Sequence, residues 1–164
     1  ALFSQLRVGR DGRTFTVYKF RTMRVDAQQR LDYLLANDPT AAAEWAQFQK
    51  LKHDPRVTVL GRILRKMSLD ELPQLLNIVR GEMSVIGPRP VTSGEIHRYG
   101  AEYPYYTAVR PGVLGLWQVS GRNKLTYEQR VAFDVQYVKT WSIWQDIKIL
   151  FMAIPVVLLG LGAY

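Results

Sequence analysis

Apolar and polar positions change period several times along these 164 residues, and each change predicts an element. Residues 3 to 9 and 13 to 20 are short β-prone runs on either side of Arg10-Asp11-Gly12, and an Asp-Gly pair between such runs predicts a hairpin. At the end of the second run, Lys19 and Arg21 fall on one face by period-two alternation, half of a cationic wall if other phosphate-seeking groups lie nearby. Leu31, Leu34 and Leu35 share one side of a helix predicted over 25–37. Asn37-Asp38-Pro39 breaks it, and Pro39 starts a second helix to about Lys50, with Trp45 and Phe48 as packing residues. Lys52 to Arg56 reads as a turn, and a lone His53 beside Asp54 is left without a role. Gly61 to Met67 is a short helix carrying Arg62, Arg65 and Lys66.

Leu72, Leu75, Leu76 and Val79 recur at i, i+3, i+4 and i+7, the pattern of an amphipathic helix that ends near Gly81. Val85-Ile86 is a short extended run, and residues 92 to 99 read as helical. Tyr103 to Tyr106 and Arg110-Pro111-Gly112 belong to a loop-rich region, and Leu125 to Trp141 and Ile143 to about Leu159 are the last two helices. The predicted fold class is α+β, mainly helical with a short N-terminal β-hairpin, in one domain over residues 1–164. Ile149 to Ala163 is an unbroken apolar run containing Pro155, Gly160 and Gly162. A spanning helix needs about 20 apolar residues. This run is too short and too broken for that, which leaves a helix lying on a surface and an ordinary core helix both open. The chain begins at Ala1 without an initiator methionine and reads as a piece of a longer protein, its upstream membrane region outside the sequence.

Composition narrows the chemistry. With 48% hydrophobic and 22% charged residues the chain is globular, and the lack of cysteine excludes disulfides and thiolate metal sites. A net charge of +8 points to a polyanionic partner: nucleic acid, anionic lipid or a phosphorylated substrate. The rival to an enzyme is a non-catalytic basic module resting on anionic lipid or nucleic acid. No nucleic-acid motif is present, and the arginines sit in proline-fixed loops rather than along a stripe, so no nucleic-acid partner is expected.

The most informative stretch is Ser68-Leu69-Asp70-Glu71-Leu72-Pro73. Ser68 and Glu71 have capping-box spacing, which starts a helix at Leu69 but places Pro73 one residue too deep; alternatively Asp70 is the cap. Either way Asp70 and Glu71 meet free backbone N–H groups, where an ionised carboxylate is favoured and phosphate is attracted. An ionised carboxylate can attack phosphorus while its neighbour helps hold Mg²⁺. Taken alone, an Asp-Glu pair in a first turn more often only caps. Arg65 and Lys66 before the pair, and Arg89 between Pro88 and Pro90 after it, change that balance. Forked guanidinium groups on rigid supports suit phosphate oxygens, and phosphoryl transfer needs chiefly cations, a metal and an in-line nucleophile. Neither a Walker loop nor a Rossmann glycine fingerprint is present.

These motifs together resemble the bacterial sugar transferases, the monotopic phosphoglycosyl transferases. The resemblance is carried by Lys19-Phe20-Arg21-Thr22-Met23, Asp54-Pro55-Arg56-Val57-Thr58 and Ser68 to Gln74, then by Gly81-Glu82-Met83-Ser84, Gly87-Pro88-Arg89-Pro90 and Pro111-Gly112 to Arg122. The set covers nearly the whole chain in order, and the ending at Gly162-Ala163-Tyr164 is most similar to the hexose-1-phosphate transferases. The resemblance implies transfer of a sugar-1-phosphate from a UDP-sugar to polyprenyl (undecaprenyl) phosphate, with release of UMP, as the first membrane step of exopolysaccharide, capsule or O-antigen synthesis. It implies Asp70 as the nucleophile of a covalent phosphosugar intermediate and Glu71 as the carboxylate associated with Mg²⁺, with Asp70 nearby. Lys19, Arg65 and Arg89 map to phosphate-binding positions, Pro90 to a rigid support, and Asp146 and Arg7 to supporting positions. It further implies a catalytic domain on the cytoplasmic face of the bacterial inner membrane, in contact with lipid. The re-entrant membrane helix that precedes the first strand in this family is expected upstream of Ala1, outside this sequence. Trp117, Trp141 and Trp144 are candidates for the headgroup level, and Gly112 with Leu116 to Arg122 for a mobile loop that recognises nucleotide or sugar.

Overall fold

A computed structural model describes residues 1–48, 51–121 and 125–158. The α+β class and the hairpin are as expected. Strands β1 (Leu2–Val8) and β2 (Thr14–Phe20) pair antiparallel, Leu2 opposite Phe20 and Val8 opposite Thr14. Asp11 and Gly12 both have positive φ, +57° and +72°, as a primed turn requires. The strand ends at Phe20, so the alternation stops there. Lys19 points inward, whereas Arg21 is exposed and stacks over Phe3 at 5.7 Å; the two do not form one cationic wall.

Helices α1 (Ala27–Asn37) and α2 (Pro39–Phe48) close a small apolar cluster of Leu31, Ala41 and Leu51, with Leu34, Leu35 and Trp45 against it. The last two residues expected in the second helix lie outside the described residues. The following turn is tied by Asp54, whose carboxylate accepts bonds from Arg56 Nε and Nη2 at 2.8 and 2.7 Å while Arg56 stacks over Trp45. Helix α3 (Val59–Lys66) starts earlier than expected because Thr58 caps it, its hydroxyl accepting from Gly61 N at 2.9 Å.

The segment after α3 overturns two expectations. Residues Leu69–Gln74 form a 3-10 helix, and only the single turn α4 (Leu75–Val79) is α-helical. Ser68 is left-handed (φ +56°) and makes no side-chain cap bond, so there is no capping box. Glu71 turns to Lys19 instead. Pro73 lies upstream of α4, where its missing N–H costs the α-helix nothing. The amphipathic face is also inverted. Leu75 and Val79 are 55% and 86% exposed, while Gln74 and Asn77 are 2% and 0% exposed. Asn77 accounts for the inversion: its amide donates to Thr16 O (2.7 Å) and its oxygen accepts from Tyr18 N (3.3 Å), so the polar face reads the edge of β2. A buried amide engaged by two backbone groups and by the Glu82 carboxylate, to which its Nδ2 also donates at 2.7 Å, outweighs the pattern of leucines on the other side.

Strands β3 (Ser84–Ile86) and β4 (Gly112–Leu114) make a second, parallel pair; a 3-10 turn at Ser93–Arg98 and α5 (Tyr103–Ala108) lie between them in the chain, and α6 (Leu116–Ser120) follows β4. Tyr103 to Tyr106 is therefore helical, and Gly112 belongs to a strand; both had been expected in loops. Gly112 permits the close approach of two backbones, since a Cβ there would lie 2.1 Å from Gly87 N. The expected mobile stretch is likewise regular from Gly112 to Leu114 and from Leu116 to Ser120, while Arg122 lies outside the described residues.

Helices α7 (Tyr127–Lys139) and α8 (Ile143–Leu158) finish the described chain. Val8, Val91, Tyr99, Tyr106, Val131 and Val135 pack between the hairpin and α7. Trp117 is buried beneath Arg130 and so is not a headgroup residue, whereas Trp141 and Trp144 are exposed. Helix α8 buries one stripe, Ile149 and Ala153, while Phe151 and Ile154 stay exposed, and residues 159–163 of the apolar run lie outside the described residues. Among the described residues no helix is long and apolar enough to cross a membrane.

One buried acid in α7 gives a pH prediction. Asp134 Oδ2 accepts from the Tyr99 hydroxyl at 2.8 Å, and its Oδ1 has no hydrogen-bond partner among the described residues. Burial pushes the Asp134 carboxyl up to about 8, against the opposing pull of the Tyr99 hydrogen bond and of Arg89. An acid whose folded pKa exceeds its unfolded value holds a proton that the unfolded chain has lost. Stability therefore falls as pH rises between about 4 and 8. Asp134→Asn is expected to flatten the fall of the urea midpoint between pH 5 and pH 8, because the amide keeps the acceptor for Tyr99 and removes the ionisation.

Candidate active site

Asp70 and Glu71 sit in the 3-10 turn directly after α3, facing the end of β2. Glu71 Oε1 accepts from Lys19 Nζ at 2.7 Å, with both side chains about a quarter exposed or less (24% and 22%). Asp70 is half-buried, and burial, then the neighbouring Glu71 carboxylate, holds its pKa above the ordinary range; Lys19 and Arg65 oppose this. The Arg65 guanidinium is positioned by Nε donating to Thr22 Oγ1 at 2.9 Å. Its pKa is lowered by burial, with Asp70 and Asp54 acting in the opposite direction. The two motif carboxylates and the Lys19 and Arg65 cations are thus one electrostatic unit, drawn from three separated stretches of sequence.

Arg89 stands at the centre of a second group. Its charge depresses the pKa of Arg7 and Arg130, in each case after burial, and also acts on Arg65. The Arg89 guanidinium donates no hydrogen bond among the described residues. Its loop is held by Arg7, which donates to Pro90 O at 3.1 Å and to Glu95 Oε2 at 3.2 Å. Glu95 also accepts from Thr92 N and Oγ1 at 2.7 Å and from the Tyr127 hydroxyl at 3.3 Å. Burial would raise Glu95, yet the Thr92 bonds, then Arg89 and Arg7, outweigh it and hold the carboxyl low. Arg98 stacks over Tyr127 at 4.8 Å.

Of the residues expected at the site, Lys19, Arg65, Asp70 and Glu71 converge, and Arg89 with Pro90 and Arg7 forms the adjoining cationic group. Asp146 does not join them by any hydrogen bond or ion pair among the described residues. It accepts from Tyr137 OH (2.8 Å) and Trp141 Nε1 (3.2 Å) at the corner between α7 and α8. Glu95, Tyr127 and Arg130 were not expected. The Thr92-x-x-Glu95 spacing of a capping box was visible, but its carboxylate also serves Arg7, which only the fold discloses. Glu95→Gln keeps the cap acceptor and removes the charge. It is expected to lower kcat/KM by roughly 10-fold by loosening Arg7 and the Arg89 loop, and to lower Tm at neutral pH, with the difference closing as pH falls and the wild-type carboxylate is protonated; steady-state kinetics and calorimetry check both parts.

An open cleft of about 320 Å³ is lined by Glu71 together with residues of the 3-10 turn, α4, β4, α6 and α8; Lys19 and Arg65 are not among the described residues lining it. Apart from Ser68, Glu71 and Gln118 its lining is apolar. Adjacent carboxylates beside one lysine and one hydrogen-bonded guanidinium are an arrangement that can handle phosphate, with a carboxylate available as the reacting group.

The chain also compares directly with known proteins. A family model described as bacterial sugar transferase matches residues 1–160. The chain belongs to the bacterial sugar transferase family. It is 54% identical over 164 residues to an undecaprenyl-phosphate galactose phosphotransferase of Salmonella typhimurium, covering 100% of this chain and 34% of that protein. It is 56% identical over 163 residues to a UDP-galactose-lipid carrier transferase of Erwinia amylovora, covering 99% and 34%. The exopolysaccharide production protein ExoY of Rhizobium meliloti is 51% identical over 162 residues, with 99% and 72% covered. The chain thus spans about a third of the length of the first two relatives.

Proposed function

We propose that this chain transfers a sugar-1-phosphate, a hexose-1-phosphate, from a UDP-sugar to undecaprenyl or a related polyprenyl phosphate. The observation that carries the reading is Asp70 beside the Lys19–Glu71 pair, with Arg65 in electrostatic reach. In the first step an Asp70 carboxylate oxygen attacks the phosphorus that bears the sugar. The bond from that phosphorus to the bridging oxygen breaks, and UMP leaves. In the second, a phosphate oxygen of the lipid attacks the same phosphorus, the Asp70–phosphorus bond breaks, and the polyprenyl-diphosphate sugar departs. Attack needs the ionised carboxylate, which Lys19 and Arg65 favour against burial and Glu71. Arg65 and Arg89 suit the non-bridging oxygens, and the Arg7–Pro90 bond holds the Arg89 loop in place.

Mg²⁺ fits the residues present. No group of three or more His, Cys, Asp or Glu occurs among the described residues, but Mg²⁺ is commonly held by one or two carboxylates together with substrate phosphates and water. Asp70 and Glu71 would hold it, and their mutual repulsion is the charge a divalent cation offsets. Bound there, it would neutralise phosphate charge. The exposed apolar side chains Leu75 and Val79 on α4 and Phe151 on α8 support contact with membrane lipid, at the cytoplasmic face of the inner membrane where UDP-sugars are available. The test is to supply UDP-galactose, UDP-glucose or an N-acetyl relative, Mg²⁺ and undecaprenyl phosphate to the complete protein. UMP and a lipid-linked diphosphate sugar are the expected products; their absence with every donor overturns the reading.

A further inference from the structure

We infer that the apolar cleft beside Glu71 seats the first isoprene units of the lipid acceptor, an inference that rests on the proposed reaction. Three observations favour this occupant. The cleft and the reactive turn are continuous, because Glu71 both lines the cleft and bonds Lys19. The charge is distributed as a phosphate with an apolar tail requires: Lys19 pairs with Glu71 and acts with Arg65 on Asp70 at one end, while Glu71 is the one charged residue among the described residues lining the cleft. Finally, Leu72 and Leu75 line the cleft and are also exposed, so its mouth opens on the apolar face that α4 presents outward.

The opposite wall explains why a nucleoside or sugar is a poorer occupant. Val113, Val119 and Ala153 offer no hydrogen-bonding side chain, and Ser68, Glu71 and Gln118, whose Oε1 has no partner among the described residues, are too few to replace the water that the several hydroxyls of a ribose or hexose would lose there. A branched hydrocarbon gains from the same surface. The volume, about 320 Å³, is at the small end of ligand pockets, which suits the first units of a long chain and leaves the remainder to the bilayer.

The experiment measures acceptor chain length with the complete protein in detergent. Dimethylallyl, geranyl, farnesyl and undecaprenyl phosphates are compared for the wild type, Leu75→Trp and Val113→Phe. In the wild type kcat/KM is expected to rise by roughly tenfold with each added unit until the cleft is full, then to level off. The two variants should flatten that rise, while UMP release and adduct formation on Asp70 in the absence of acceptor stay within about twofold of wild type. The same chain-length profile in all three proteins overturns the inference and leaves the cleft to bilayer acyl chains or another segment. So does selective loss of acceptor-free UMP release, which would assign the cleft to the donor. If the wild type releases no UMP at all, the reaction has failed rather than the cleft. Labelling by a diazirine-bearing farnesyl phosphate then decides: peptides containing Met67–Leu75 and Val113 support the seat, and labelling confined elsewhere overturns it.

Discussion

Asp70→Asn is expected to lower sugar-phosphate transfer by about 10⁴-fold or more, the scale of loss when a covalent nucleophile is removed. The amide has nearly the shape of the carboxylate and carries no charge with which to attack phosphorus. Incubation with UDP-sugar should therefore leave no phosphosugar mass on the variant, while the wild type gains one. Stability should move the other way. Burial and Glu71 both disfavour the ionised form of Asp70, so its folded pKa is raised. A raised acid loses stability as pH climbs from its unfolded value through its folded one, and the asparagine variant escapes that loss. Its Tm should equal or exceed that of the wild type at neutral pH and converge with it in acid. An active, adduct-forming Asp70→Asn protein would remove the nucleophile assignment. An inactive but strongly destabilised one would mean that Asp70 is structural.

The second large effect is structural. Gly61→Ala should abolish the native packing of α3, with loss of activity and of the cooperative thermal transition or a fall in stability beyond about 3 kcal/mol. A Cβ at this position would lie 2.0 Å from Thr22 O and 2.7 Å from Thr22 C, both backbone atoms that cannot turn aside. The contact is tied on several sides: Thr58 N donates to the same Thr22 oxygen at 3.0 Å, and Arg65 Nε to Thr22 Oγ1. Displacing the helix therefore also removes Arg65 from its position beside Asp70. The control is Arg62→Ala, on an exposed position of the same helix, which should change Tm little. Circular dichroism melts of the two variants separate close packing from a general intolerance of helix mutations.

The extent to which the sequence could be read depended on the range of the interactions concerned. The hairpin, α1, α2, α7 and α8 were legible because turn chemistry, caps and repeated leucines act over a few residues. Strand β4 was not legible, since three residues contain no period and its pairing partner β3 lies far back in the chain. The leucines of α4 misled for another reason. Periodicity identifies a face, but whether that face is covered depends on what packs there. Here the buried Asn77 bonds with β2 turn the apolar side outward.

At the candidate site the chemistry-bearing residues were visible as motifs: Lys19, Arg65, Asp70, Glu71 and Arg89 were all nominated from spacing and resemblance. Their relationships were not. The Lys19–Glu71 pair joins residues 52 positions apart, and the Arg7–Glu95 pair joins residues 88 apart. No local signal encodes either. Asp146 shows the converse, since an acid in a recognisable motif is engaged with Tyr137 and Trp141 rather than with the carboxylate pair.

By itself the sequence determined which groups are available and the family to which their order belongs: two adjacent acids, several arginines, prolines that stiffen the backbone around one of them, and no cysteine. Covalent order and residue chemistry are sufficient for that. Tertiary structure alone decided which charges meet, which carboxyl groups are pushed up, and that the apolar side of α4 faces outward beside an apolar cleft. Electrostatic energy and burial depend on distances through space, and those are set only when distant segments have packed.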